Sequence, residues 1–419
     1  MRSAVLAVLA ACAHSASPAP ARDAPTDVPS DAERHYSIWL GGAQVGTAIE
    51  TEVWSRAGVA LRRTETLHFL RGNTPVTLTT AIAIDADLAL APTRVEWTET
   101  GATRRHGAAI RGRDGWQMHL TDEAATSRPR DAGIPADAIP AELVPLVIRR
   151  DGRFAGSVFL PARGFVVGRG RIEPVSPVRL VARLVVDAGP IVEATIDLAP
   201  DGAPARVVDG EGVIAMRETA AQAAAPFTPV DLIAATSVPL TGVASGRVEL
   251  DGDLALPPVP GQAASPAAAG VTLALSATLP GALPPGEPGA DRTAEITALV
   301  AAVRSRIAPD LGAGTASPRD PMGASAGDCT TFALAYAALA QRRSIPTRVV
   351  TGLRVDGARL VRHRWAVSWT GRAWIAVDAA FGAAPAGGDL IGLAIHDADD
   401  AGLIAGEAAL AQVRSAAWL

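Results

Sequence analysis

From about residue 33 to residue 250, apolar and polar positions alternate in short runs that Gly, Pro and Asp interrupt at close spacing, the period-two signature of half-buried strands. In "HYSIWLGGAQVGTAIETEV" the apolar set Tyr36, Ile38 and Leu40 precedes Gly41-Gly42, and a second alternating run from Val45 to Val53 comes after it. Two such runs about a Gly-Gly pair predict a hairpin. "TPVTLTTAIAID", "GFVVGRGRIEP", "RLVARLVVDAGPIVEATIDLAPDG" and "GEGVIAMRE" continue the pattern, so residues 33–250 are expected to form an antiparallel all-β domain, half-barrel-like or sandwich-like. One segment, "AIPAELVPLVIRR" at 138–150, breaks the alternation and predicts a helix or loop insertion. Residues 251–290 are rich in Pro and Ala and read as an extended interdomain linker with one strand, "VTLALSA", inside it. The period then changes. Ile296, Leu299, Val300, Val303 and Ile307 have the spacing of an amphipathic helix, with Asp291 or Thr293 as N-cap and Pro309 past its end. A second helix is expected after "GDC", with Asp328 as N-cap and Phe332, Ala335, Tyr336 and Leu339 as its buried stripe. Residues 291–419 are thus expected to form a second domain.

Charge narrows the partners. The 38 basic residues, all arginine, stand against 43 acidic ones for a net charge of −5 over 419 residues. That balance implies no polyanion-binding face, so nucleic acid is not an expected partner. The chain opens with Arg2, a short apolar run from Ala4 to Ala11 and then a polar Pro/Ala/Ser/Asp stretch. This is the layout of an export leader, and the run is too short to span a bilayer. "LAAC", Leu9 to Cys12, resembles the lipobox of bacterial lipoproteins. The resemblance implies that residues 1–11 are a signal peptide and 12–32 a disordered tether, with Cys12 a lipid anchor to the cell envelope. Ala13 would favour the periplasmic face of the outer membrane in a Gram-negative cell. The alternative is an ordinary leader and a secreted or periplasmic protein. Either way Cys329, the only other cysteine, has no cysteine partner in an oxidising compartment. It is then either a small buried hydrophobe or a reactive thiol.

A thiol in the first turn of a helix faces free backbone N–H groups and the positive end of the helix dipole, both of which favour thiolate; the same N–H groups can hold an oxyanion. A nucleophilic thiolate also needs a base, and the base an orienting group. "LVRHRWAVSWTGRAWIAVDAAFG" supplies both. As a hairpin with a two-residue turn at Thr370-Gly371 it sets His363 directly opposite Asp378, where facing Cβ atoms lie about 4.5 to 5.5 Å apart. Trp365, Val367, Trp369, Trp374 and Ala376 share that face and make an apolar wall. Asp328, Trp365 and Trp374 are the candidates to line a substrate pocket. His35, His68, His106 and His119 are scattered along the β-rich region without metal-ligand spacing. His396 with Asp397, Asp399 and Asp400 reads as a solvated acidic loop rather than a cation site. No metal or cofactor is expected.

These residues reach a family pattern. "GDC" at 327–329, "SIPTRVVTGL" at 344–353, "HRW" at 363–365 and "WIAVD" at 374–378 resemble, in order, the G-D-C, G-I-P-A-R-V-V-x-G, H-A-W and W-x-x-V-D-P-T blocks of bacterial transglutaminase-like domains, members of the papain-like superfamily. The resemblance implies a papain-like α+β fold for the C-terminal domain, with Cys329 as nucleophile, His363 as general base and acid, and Asp378 as the group that fixes the imidazole. Ser344, Thr347, Arg364 and Ala379-Ala380 depart from the pattern. Arg364 faces away from His363 and bears on substrate preference rather than on the chemistry, and the loss of Pro-Thr alters the support behind Asp378. The N-terminal β domain is similar to those that precede this domain in other envelope proteins. The function so implied is that of a papain-like cysteine hydrolase or acyltransferase acting on an amide of an envelope peptide or protein, as a peptidase or amidase rather than a cross-linker. The alternative is a catalytically inactive binding or scaffold lipoprotein.

Overall fold

The computed structural model describes residues 28–419 except 102–103, 114, 123–124, 127–129, 132, 187–190, 211, 269 and 314–319. The leader and Cys12 lie outside the described residues. The chain divides into two units, one ending at Val230, the other made of Asp231–Leu419 together with Arg71–Thr74.

The first unit is a 16-stranded sheet in which sequence neighbours pair antiparallel almost throughout. Ala32–Leu40 pairs with Ala43–Ser55 on one side and with Val213–Glu218 on the other, so the last strand of the unit returns to the first. The expected hairpin is present, with Gly41 and Gly42 at φ 60° and 81°. Positive φ at both central residues matches the turn to the strand twist, and only glycine adopts it without cost. The sheet curls until it is nearly closed, because both its ends share one core. Trp97 and Trp116 from one arm pack with Phe159 and Phe165 from the other, and Trp116 meets Phe159 edge-on at 5.4 Å. Residues 138–150 do break the alternation: a 3-10 turn, Ala141–Leu143, runs into the helix Val144–Asp151, which ends on Gly152 at φ 72°. Leu143, Leu146 and Val147 from this segment complete the core.

The interior face also carries charge, which period-two patterning does not forecast. Arg34, Glu50 and Arg63 sit side by side on three neighbouring strands, all buried. Glu52 accepts hydrogen bonds from Arg34 and Arg149. Glu142 is buried beside them, and that burial pushes its carboxyl up to about 7.

The second unit combines a 10-stranded sheet with three longer helices, Thr293–Arg306, Cys329–Arg342 and Asp400–Leu410. Residues 251–290 are not the linker their composition suggests. Arg247–Asp251, Gly270–Leu275 and Gln262–Pro266 form one antiparallel ladder within this sheet, and the boundary falls at Asp231 rather than 251. Proline removes a donor but leaves the carbonyls of the segment free to accept, and two of them are used: the indole N–H groups of Trp374 and Trp369 donate to Pro284 O and Glu287 O, both at 2.8 Å. Ile296, Leu299, Val300, Val303 and Ile307 are buried as their spacing predicts, in one core with Phe332 and Tyr336. The helix Cys329–Arg342 is more deeply embedded than a single stripe. Leu339 is only partly covered, whereas Leu334 and Ala337 pack on a second side against Val349 and Leu403. Among the described residues no helix is long and apolar enough to cross a membrane.

Candidate active site

Cys329 is the first residue of its helix, and the residues before it hold that turn in place. Asp328 is the N-cap: its Oδ1 accepts from the Thr331 N–H at 3.1 Å. Its Oδ2 accepts from Arg71 at 2.7 Å. Burial alone would raise the Asp328 carboxyl, but Arg71 and the Thr331 N–H outweigh burial and hold it below its usual range. Gly327 is required for space: a Cβ there would stand 2.3 Å from Thr331 Oγ1 and 2.5 Å from Thr331 Cβ, distances no side chain tolerates. Thus the first two letters of "GDC" serve the helix start, and the half-buried thiol of Cys329 is what they deliver.

The imidazole comes from the neighbouring sheet. His363 lies in Arg359–Trp369, which pairs with Trp374–Asp378. The register differs from the expected one by two residues: Trp369 faces Trp374 and Ala366 faces Val377. A four-residue loop, Thr370 to Ala373, replaces the two-residue turn, because the Thr370 hydroxyl accepts from the Arg372 and Ala373 N–H groups and shapes a wider bend. A slip of two keeps every side chain on its face, so His363 and Asp378 remain partners on a diagonal. His363 Nε2 donates to Asp378 Oδ2 at 2.8 Å. Asp378 Oδ1 accepts from the Ala380 and Phe381 N–H groups at 3.1 and 3.3 Å. This tight turn supports the carboxylate where the family pattern has Pro-Thr.

With Nε2 committed to Asp378, Nδ1 is the nitrogen left for Cys329, and thiol and imidazole are near enough to shift each other's protonation. Burial works against both charged forms, yet the pair prevails over it. Burial would raise the thiol, but the hydrogen bond and charge of His363, with the Arg364 backbone N–H, bring it below its ordinary value. Burial would lower the imidazole, but the hydrogen bonds to Asp378 and Cys329 push it up to about 10. Together these opposite shifts favour thiolate and imidazolium over the neutral pair.

The three pocket candidates have other employment. Asp328 is buried and engaged as described. Trp365 is fully buried and lies nearly parallel to the His363 ring, centroids 5.9 Å apart, so it backs the imidazole rather than meeting substrate. Trp374 packs on Trp369 and is tied to Pro284. Arg364, read as a determinant of substrate preference, instead turns inward. It donates to Thr351 Oγ1 at 2.9 Å and Thr330 Oγ1 at 3.0 Å, and pairs with Glu407. Its guanidinium therefore grips the residue next to Cys329 from behind. His396 is buried in the same network rather than solvated. Its Nδ1–H donates to Asp397 O, so Nε2 accepts from the Thr351 hydroxyl, both at 2.8 Å. Asp399 caps the helix Asp400–Leu410. No cluster of three or more His, Cys, Asp or Glu side chains among the described residues is placed to hold a metal ion. Phe381 carries no signal in the sequence pattern. It stands 58% exposed beside His363, ring centroids 5.5 Å apart, with the Arg354 guanidinium over its face at 3.5 Å.

Residues 286–379 match the family model described as Transglutaminase-like superfamily. No curated protein sequence matches the chain. Among solved structures, the chain is similar to the crystal structure of a β-barrel-like protein of domain of unknown function DUF1849 from Brucella abortus. That likeness has a TM-score of 0.33 and 10% identity, over 44% of this chain and 95% of the other. The match over 286–379 contains Cys329, His363 and Asp378, and by it the C-terminal region of this chain carries a transglutaminase-like domain.

Proposed function

We propose that the C-terminal domain is a cysteine enzyme that cleaves an amide bond of a peptide or protein through a Cys329–His363–Asp378 triad. The observation that carries this reading is the imidazole fixed to its carboxylate beside the helix-start thiol, with thiol and imidazole shifted in opposite directions. The Cys329 thiolate attacks the amide carbonyl carbon and forms a C–S bond, while the first-turn N–H groups of its helix receive the oxyanion. His363 gives its proton to the departing amine nitrogen as the C–N bond breaks. Water then attacks the thioester, His363 takes one of its protons, and a carboxylic acid leaves with the thiolate restored. We assign water as the acceptor because it is always present and needs no binding site of its own. The likeness of "LAAC" to a lipobox supports an envelope location through Cys12; Cys12→Ser should move the protein from the membrane to the soluble fraction.

The test is turnover of a degenerate peptide-amide mixture, monitored by mass spectrometry, with wild type and Cys329→Ala. The reading predicts new carboxyl termini with wild type only. Equal products from both proteins, or none from either, refute it, and the second outcome leaves a binding domain in its place.

A further inference from the structure

Phe381 and Arg354 form a lip at the thiol-imidazole pair whose chemistry is unspent. Large apolar side chains of this unit are mostly covered, yet Phe381 is 58% exposed. Its place is fixed from both sides of the backbone. Its own N–H donates to Asp378 Oδ1 at 3.3 Å, and the carbonyl of Ala380 before it accepts from Arg304. The ring is thereby held to the same carboxylate that orients His363. Arg354 comes from the strand Thr347–Asp356 and sits over this ring, its Cζ 3.5 Å from the centroid, a cation-π contact. Asp389 takes its Nε–H at 2.7 Å, and that bond orients the guanidinium plane. The two terminal nitrogens keep their N–H groups, which among the described residues have no hydrogen-bond acceptor in the structure.

A guanidinium fixed at Nε by a carboxylate, stacked on one face and open at its outer edge is prepared for a planar, bidentate acceptor. The two ring separations place it within about 9 Å of the imidazole, the length of two to three extended residues. We propose that Arg354, seated on Phe381, is a specificity determinant that binds a substrate carboxylate two to three residues from the amide attacked by Cys329. The substrate class is therefore an acidic peptide, its carboxylate an Asp or Glu side chain or a free chain end. This inference rests on the reading of the site as peptide-binding and does not need the thiol to turn over.

The experiment separates the two. A degenerate mixture of acetylated, amidated heptapeptides is passed over immobilised Cys329→Ala protein and over Cys329→Ala/Arg354→Gln, and retained peptides are sequenced by mass spectrometry. Charge-assisted pairs support about a tenfold or greater preference, so Asp and Glu should be enriched about tenfold at one or two adjacent positions on the first column and not on the second. A third column with Arg354→Lys should retain part of the enrichment, which a collapsed fold would not. Omission of Asp and Glu from the first column, equal enrichment on all three, or no retention at all overturns the proposal. Acid-selective retention with no cleavage by wild type would leave the subsite standing and remove the enzyme reading. Cleavage without acid selectivity would do the reverse.

Discussion

Asp378→Asn tests the triad at the point where geometry dictates a single outcome. The asparagine fits the same space, and two backbone N–H groups, those of Ala380 and Phe381, point at the oxygen now at Oδ1. They fix the amide orientation, because a flipped amide would aim its own N–H groups at two donors. The Nδ2 donor must then face His363 Nε2, which can satisfy it only as an acceptor. The ring proton moves to Nδ1, the nitrogen that should receive the Cys329 proton, and the base is blocked. The loss is large. The hydrogen bond to Asp378 is the foremost influence that raises His363 to about 10. A return to the ordinary 6.5 forfeits roughly 5 kcal/mol of preference for imidazolium, a sum that Asp378 and Cys329 now supply together. Turnover should fall about 10⁴-fold, the scale set by a wrong tautomer in triads of this logic. The thermal midpoint should move little, since volume and the turn contacts are kept. The midpoint of Cys329 alkylation against pH should rise. The midpoint is the readout rather than the rate at one pH, because intrinsic nucleophilicity falls as a thiol pKa falls. Asp378→Asn with wild-type turnover, or with an unmoved alkylation midpoint, would refute the reasoning.

Buried charge sets three further outcomes. Glu142 has a folded-state value of about 7 against an ordinary 4.5, so the unfolded chain sheds this proton first and stability is lost as pH rises between those values, by roughly 3 kcal/mol. Glu142→Gln should remove that loss, visible as a β-unit urea transition that no longer weakens from about pH 4 to about pH 8. His396 runs the other way. Burial lowers it from 6.5 to about 4, so its contribution is present above 6.5 and lost as pH falls through 4, again by roughly 3 kcal/mol. His396→Gln should flatten the urea profile of the second unit over that interval. Glu407→Leu leaves the guanidinium groups of Arg362 and Arg364 facing a site without its carboxylate. It should cost about 3 to 5 kcal/mol by denaturation, while the double variant Arg364→Met/Glu407→Leu recovers most of it.

Local rules carried far along this chain and failed where tertiary partners decide. The Gly41-Gly42 hairpin, the stripe from Ile296 to Ile307 and the Asp328 cap each depend on neighbours within a turn or two, and these are where the periodicity put them. The His363–Asp378 partnership was legible because strand parity survives a slip of two residues, even though the assumed turn was wrong. Residues 251–290 misled because composition reports the lack of N–H donors in Pro-rich chain and says nothing of distant indoles that seek its carbonyls. Arg364 could be assigned a face of its strand but not a purpose, since Glu407 and Thr330 arrive from other elements. Its position beside His363 gave no sign of a buried network. Phe381 was hidden for the same reason. An aromatic three residues after an acid is unremarkable until the turn at Asp378 swings it toward the imidazole. The charged interior of the β unit was not legible, because only the strand register makes Arg34, Glu50 and Arg63 neighbours.

The central claim is that His363 lowers the Cys329 thiol and so favours its anionic form. It is tested most directly by the pH dependence of Cys329 alkylation with iodoacetamide, read by mass spectrometry of the peptide that contains it, in wild type and His363→Ala. The account predicts a wild-type midpoint below the ordinary thiol value of 9.0 and, once His363 is gone and only the Arg364 backbone N–H still opposes burial, a higher midpoint. Coincident midpoints in the two proteins, or a wild-type midpoint at or above 9.0, would contradict it.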